Sequence, residues 1–157
     1  MSDCCVTNSL IFATDSSGVC PSCKIKGRKV SLITIKSLLK PSALEMIRGE
    51  VDHYFCSTRD CNVVYFDTNG KTYSVLDIKV KVYQKCDASD VPVCYCFGWT
   101  REKIQEYTRK GNFSLTAHIR ENIKANRCGC EVNNPQGSCC LGNVSRYIKE
   151  MPSIHIQ

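Results

Sequence analysis

The sequence predicts an α+β protein with a β-rich first half and a helical second half. Residues 29–83 are dense in β-branched and aromatic side chains and are punctuated by Asn69-Gly70, a strong hairpin signal. From Cys94 onward apolar residues recur three and four apart behind hydroxyl residues able to cap a helix. The cysteines, thirteen in 157 residues, fall into short-spaced groups in both halves.

Taken in order, residues 1–17 are polar and weakly patterned and read as a leader. Lys29–Lys36 carries Val30, Leu32, Ile33 and Ile35 and reads as a strand. A short helix is expected from about Ser42, with Leu38, Leu39, Ala43, Leu44 and Ile47 apolar around Pro41 and Gly49 as the stop. His53–Cys56 and Asn62–Asp67 read as two strands around a compact turn at Ser57–Cys61. Thr72–Leu76 follows the Asn69-Gly70 turn as another strand. Ile78, Val80 and Val82 alternate with Lys79, Lys81 and Tyr83, the pattern of a half-exposed strand. Beyond Pro92 the pattern changes to helical. Thr100 caps a helix to about Arg109, broken at Gly111-Asn112. Ser114 caps a second to about Ala125, with Leu115, Ile119 and Ile123 on one face. Asn133–Gly137 is a turn, and a last helix runs from about Cys140 to Met151. The divisions are therefore 1–17, 18–90 and 91–157.

A cysteine content of about 8% marks either a disulfide scaffold or metal ligation. A disulfide scaffold needs an oxidising compartment. The N-terminus has neither the basic nor the apolar region of a signal peptide, and no apolar run approaches the ~20 residues of a membrane span. A reducing cytoplasm is the expected location, with free thiols available to metals.

Cys20-x2-Cys23 and Cys56-x4-Cys61 form two close pairs on separate hairpin-like segments. Two such pairs converge naturally on one tetrahedral ion, and an all-sulfur shell is the preferred arrangement of structural zinc. His53 and Asp60 lie near enough in sequence to replace a thiolate, but a single histidine beside a strand is ordinarily a packed side chain, and His53 is left out of the expected set.

In the second half Cys94-x-Cys96, Cys128-x-Cys130 and Cys139-Cys140 give six candidates. A C-x-C pair is tight for a zinc knuckle and suits a loop around one iron of a dinuclear cluster, which takes four thiolates. Cys140 opens the last expected helix, where the positive end of the helix dipole favours thiolate. Spacing alone leaves Cys128 against Cys130, and Cys139 against Cys140, open.

Val93-Cys-Tyr-Cys96, two short helices and Cys130-Glu-Val-Asn-Asn-Pro-Gln-Gly-Ser-Cys-Cys140 resemble the cluster-binding domain of bacterioferritin-associated ferredoxins. More closely, they resemble the second part of the N-terminal domain of CopZ-type copper chaperones. Cys20-Pro-Ser-Cys23, Tyr54-Phe-Cys-Ser57, Cys61 and Val63-Val-Tyr-Phe66 resemble the zinc-binding part of that same domain, so the likeness covers roughly residues 18–150. The resemblance implies a zinc-ribbon-like β half packed with a small helical half. It implies Zn²⁺ on Cys20, Cys23, Cys56 and Cys61 and a [2Fe-2S] cluster on Cys94, Cys96, Cys130 and Cys140. In that pattern the third cluster ligand stands just before the Asn-Pro-x-Gly turn, with nine residues between it and the fourth, which selects Cys130 and Cys140. The chaperones also carry a C-terminal copper loop of the form Met-x-Cys-x-x-Cys. These 157 residues contain none, so copper delivery through that module is not expected.

The formal charge of +6 raises nucleic acid as a partner. Bound metals require thiolates, however, and two sites of net charge −2 bring the total to roughly +2. No run of five or six basic residues and no aromatic-plus-basic stacking pattern is present, so nucleic acid is not an expected partner. His53, His118 and His155 are scattered, and no nucleophile and base converge, so an enzyme is not expected. The reading is a zinc- and [2Fe-2S]-containing redox or metal-handling accessory protein. Its expected partner is a redox or metal-trafficking protein, with copper ion as candidate cargo. Cys4, Cys5, Cys86, Cys128 and Cys139 are spare soft donors or incidental thiols. The competing reading is a zinc-ribbon-like module that binds nucleic acid or protein without redox chemistry.

Overall fold

The computed structural model describes residues 17–111 and 114–152. The leader expected at 1–17, with Cys4 and Cys5, lies outside the described residues apart from Ser17. Arg28–Val30 (β1), His53–Phe55 (β2), Val63–Asp67 (β3) and Thr72–Ser74 (β4) form an antiparallel sheet in the order β1-β2-β3-β4. β3 is buried at all five positions because both of its faces are covered. Val64 and Tyr65 join a cluster with Phe55, Tyr73, Ile35, Leu38 and Leu39. Val63 and Phe66 join Cys20, Cys56 and Cys61 in another. Apolar burial of this kind is the main favourable term in folding.

The strand expected at Lys29–Lys36 is corrected. Only β1 is extended, and Leu32–Leu38 forms a helix (α1). Thr34, Ile35 and Leu38 are buried at helical spacing while Ile33 is 47% exposed. The β-branched run suggested a strand, but packing of α1 against the sheet core and a later helix overrides that weak local preference. Pro41–Leu44 (α2) follows with Pro41 in the first turn, where its missing N–H is harmless.

The strand expected at Ile78–Tyr83 is likewise absent. Ile78 makes one isolated bridge to Leu39, and Tyr83–Lys85 is a 3-10 turn. The alternation still records burial: Ile78 and Val82 point inward and Lys79 and Lys81 outward. No neighbouring strand is there to pair them.

The second half opens with a small hairpin, Pro92–Cys94 (β5) and Trp99–Thr100 (β6), which the expectation of helix from Cys94 missed. Arg101–Lys110 (α3) and Leu115–Lys124 (α4) start where expected. Thr100 Oγ1 accepts from the Lys103 amide at 3.2 Å and Ser114 Oγ from the Ala117 amide at 3.4 Å. Cys130–Asn133 (α5) is a single turn, and Leu141–Glu150 (α6) completes the half. Val93, Ile104, Leu115, Ile119 and Val144 form its core.

α1 packs along α5 and joins the halves. Tyr65 donates to Pro135 O at 2.6 Å, Gln84 Nε2 to Gln136 Oε1 at 2.8 Å and Arg28 to Ser138 Oγ at 2.9 Å. No helix among the described residues is long and apolar enough to cross a membrane.

Candidate metal centres

The Cys20–Cys23 turn sits at the tip of a small loop closed by the Val19–Lys26 bridge. The Cys20 amide donates to Ile25 O at 3.0 Å and the Lys24 amide to Cys20 O at 3.0 Å, so the turn is held by its own backbone. Cys56 leaves the end of β2, its amide bonded to Val64 O at 2.8 Å, and the Cys61 amide returns to Thr58 O at 3.3 Å. Sheet register thus carries the second pair beneath the first.

The four sulfurs lie within 4.8 Å of one another and are the one group of three or more such ligand atoms among the described residues. Cys20 Sγ and Cys61 Sγ are 3.9 Å apart, and Cys23 Sγ and Cys56 Sγ 3.7 Å. A zinc–sulfur bond of about 2.3 Å implies tetrahedral sulfur separations of about 3.8 Å, which these two separations match. His53 and Asp60 supply no atom to it. Cys20, Cys56 and Cys61 are buried and Cys23 is half-buried.

The surroundings favour negative charge unevenly. Burial pushes Cys56 up to about 12, partly opposed by the Lys85 ammonium. Burial also raises Cys20. Burial acts against ionisation of Cys23, but Thr58, the Ile25 amide and Cys56 together outweigh it and bring that thiol down to about 6. Thr58 Oγ1 lies 3.3 Å from Cys23 Sγ, and Lys85 Nζ 3.8 Å from Cys56 Sγ.

The second group is assembled from three elements. Cys94 ends β5, Cys96 lies two residues on, Cys130 opens α5, and Cys140 is the residue before α6. Cys96 Sγ and Cys130 Sγ are 3.5 Å apart. The Cys140 thiol interacts with those of Cys130 and Cys94. Unlike the first set, the four do not all gather within 4.8 Å of one another. Cys96 Sγ accepts from the Gly129 amide at 3.1 Å and from Asn133 Nδ2 at 3.8 Å. Interaction with Cys140 brings Cys130 down to about 6 and lowers Cys94, against their burial. Burial pushes Cys96 up to about 11, and the neighbouring thiols Cys130 and Cys94 drive Cys140 upward. Cys128 is half-buried, and Cys139 is exposed with its sulfur accepting from the Leu141 amide at 3.5 Å.

A buried turn fixes the approach to Cys140. Asn134 Oδ1 accepts from the Gln136 amide at 3.2 Å, while Gln136 Nε2 donates to Ser138 O at 3.2 Å and Cys139 O at 3.0 Å. All cysteines among the described residues are free thiols. Sequence reasoning missed Thr58, Lys85, Gly129 and Asn133 as sulfur partners. Nothing in their local context announces the role, because long-range folding brings Lys85 to Cys56 and Asn133 to Cys96.

A four-stranded sheet whose face carries a closed four-thiol site, joined to a small helical half with a second thiol group, defines a small metal-binding α+β domain. Residues 17–79 match the CopZ zinc binding domain. The copper chaperone CopZ of Archaeoglobus fulgidus is 32% identical over 127 residues, covering 81% of this chain. The chain spans 60% of that protein's length. The X-ray structure of the Archaeoglobus fulgidus CopZ N-terminal domain superposes with a TM-score of 0.67 at 31% identity, covering 81% of this chain and 95% of the other. The chain belongs to the same family as that CopZ N-terminal domain.

Proposed function

We propose that this protein is a redox-active accessory to soft-metal handling, with copper as the cargo of its system. In this reading Cys20, Cys23, Cys56 and Cys61 hold a structural zinc ion, and Cys94, Cys96, Cys130 and Cys140 hold a [2Fe-2S] cluster. When bound, such a cluster supplies a one-electron carrier. The carrying observation is the shape of the second thiol group. Its Cys96 and Cys130 sulfurs lie 3.5 Å apart and the Cys140 thiol interacts with those of Cys130 and Cys94, yet the four do not gather within the 4.8 Å that encloses the first set. A dinuclear cluster needs that wider footprint. The Gly129 and Asn133 donors on Cys96 offset negative charge on its sulfur, as outer hydrogen bonds do around metal ligands. A copper role follows from the relative's name, and the electron partner is a metal-trafficking protein.

The closed all-sulfur first site leaves no open coordination position, which favours a structural task over a catalytic one. The test is anaerobic purification with metal analysis, visible absorption and electron paramagnetic resonance of the reduced protein. About two irons and one zinc per chain, with a rhombic signal on one-electron reduction, support the reading. A colourless protein holding only zinc overturns the cluster and leaves a binding module. Cys130→Ser and Cys140→Ser are expected to abolish the colour, while Cys128→Ser and Cys139→Ser retain it.

A further inference from the structure

Lys85 is half-buried in the 3-10 turn between the two halves. Its ammonium donates to Thr58 O at 2.7 Å, to Cys61 O at 2.9 Å and to Cys56 Sγ at 3.8 Å. Among the described residues it forms no ion pair with a carboxylate, whereas Lys29, Lys81 and Lys110 each do. A sheltered ammonium directed onto two carbonyls and a sulfur is costly unless an anion is nearby. The four-thiol set supplies that anion once it holds a divalent ion, with a net charge of −2. Two of the three contacts also bind the loop between Cys56 and Cys61, so the same side chain shapes the loop and faces its charge.

We propose that Lys85 is the counter-charge of the four-thiol centre, a positioning residue that retains the ion and damps the nucleophilicity of the Cys56 sulfur. An N–H donor withdraws electron density from a metal-bound thiolate, so its sulfur attacks electrophiles more slowly. The positive charge also repels incoming soft cations that would otherwise exchange with the resident ion. In a protein working beside copper, this protects the structural site from its own cargo. The proposal rests on the zinc reading above.

The test compares full-length wild type with Lys85→Arg, Lys85→Gln and Lys85→Met. Zinc per chain is measured first. Iodoacetamide-driven zinc release is then followed with a chromogenic chelator, and the alkylated cysteine is located by peptide mass spectrometry. Lys85→Met and Lys85→Gln are expected to release zinc about tenfold faster, the usual scale for losing an outer-shell partner, with Cys56 alkylated first. Lys85→Arg is expected to stay within about twofold of wild type. Gln retains donors for the carbonyls without charge, so wild-type behaviour of Lys85→Gln overturns the counter-charge role. A zinc-loaded Lys85→Met with wild-type release also overturns it. If Lys85→Met does not fold, the Gln and Arg variants decide the matter. Wild type purified without zinc overturns the zinc reading itself, an outcome the first measurement separates from the others.

Discussion

The hydroxyl of Tyr65, in the inner strand β3 of the sheet, donates to the carbonyl of Pro135 at 2.6 Å across 70 residues of chain. Tyr65 is fully buried, and burial raises its phenol well above the ordinary tyrosine value, so it remains a donor throughout the working pH range. Tyr65→Phe keeps the ring and removes the donor, leaving the Pro135 carbonyl unpaired. The expected cost is about 1–3 kcal/mol, read as a lower urea midpoint with an unchanged slope.

Arg101 makes a wider clasp. Its guanidinium donates to Cys86 O at 2.6 Å and Tyr83 O at 3.0 Å and lies 4.5 Å from the Tyr83 ring centroid. It therefore holds the turn that presents Lys85. Arg101→Lys preserves charge but not the planar fork, and Arg101→Met removes both. Both variants are expected to lose stability, with Met losing roughly 3 kcal/mol or more. Thermal unfolding of the two beside wild type checks the order.

Two glycines separate backbone strain from crowding. Gly111 ends α3 at φ +72° with open space where a Cβ would stand. Gly137 has φ +69°, and a Cβ there would sit 3.0 Å from Thr34 Oγ1 and 3.2 Å from Thr34 Cγ2. Gly111→Ala is expected to cost about 1 kcal/mol from the left-handed backbone alone. Gly137→Ala is expected to cost more and to disturb the turn before Cys140, so under the proposed [2Fe-2S] reading its iron content is expected to fall while that of Gly111→Ala does not. Chemical denaturation and iron analysis of both variants test this.

His53 sits opposite Asp67 in the β2–β3 register. Both side chains are buried, and His53 Nε2 and Asp67 Oδ2 have no hydrogen-bond partner. Burial holds the imidazole below its ordinary 6.5, with Asp67 pulling the other way. A depressed folded value means that the unfolded chain takes the proton first. The contribution is intact above about pH 6.5 and is lost as pH falls from there through the lower folded value. The urea midpoint of wild type is expected to drop more steeply below about pH 6.5 than that of His53→Asn. Equal slopes would refute it.

The legible parts of this fold are the ones encoded locally. Thr100, Ser114 and Gly111 mark helix ends by their own chemistry, and α3 and α4 start at those caps. Leu32–Ile35 misled because its β-branched residues suit a strand, while the burial of Ile35 and Leu38 depends on a sheet and helix formed elsewhere. The β5–β6 hairpin is too short to leave a periodicity. The first thiol group was readable from two short spacings. In the second, spacing left six candidates, since convergence of three elements is not written into any one of them. Lys85 was invisible for the same reason.

The contacts of the first site are nested. Cys23 meets Cys56 across 33 residues, inside Cys20 meeting Cys61 across 41. An ion shared by all four is therefore a cross-link on the topology of the chain, closing one loop within another. Loop closure of that length carries an entropic cost of roughly 3 kcal/mol, which the bound ion removes from folding much as a disulfide would. A chelator acting on this domain frees the unfolded chain as well as vacating a site, so the β-rich half should unfold at lower temperature and over a broader range.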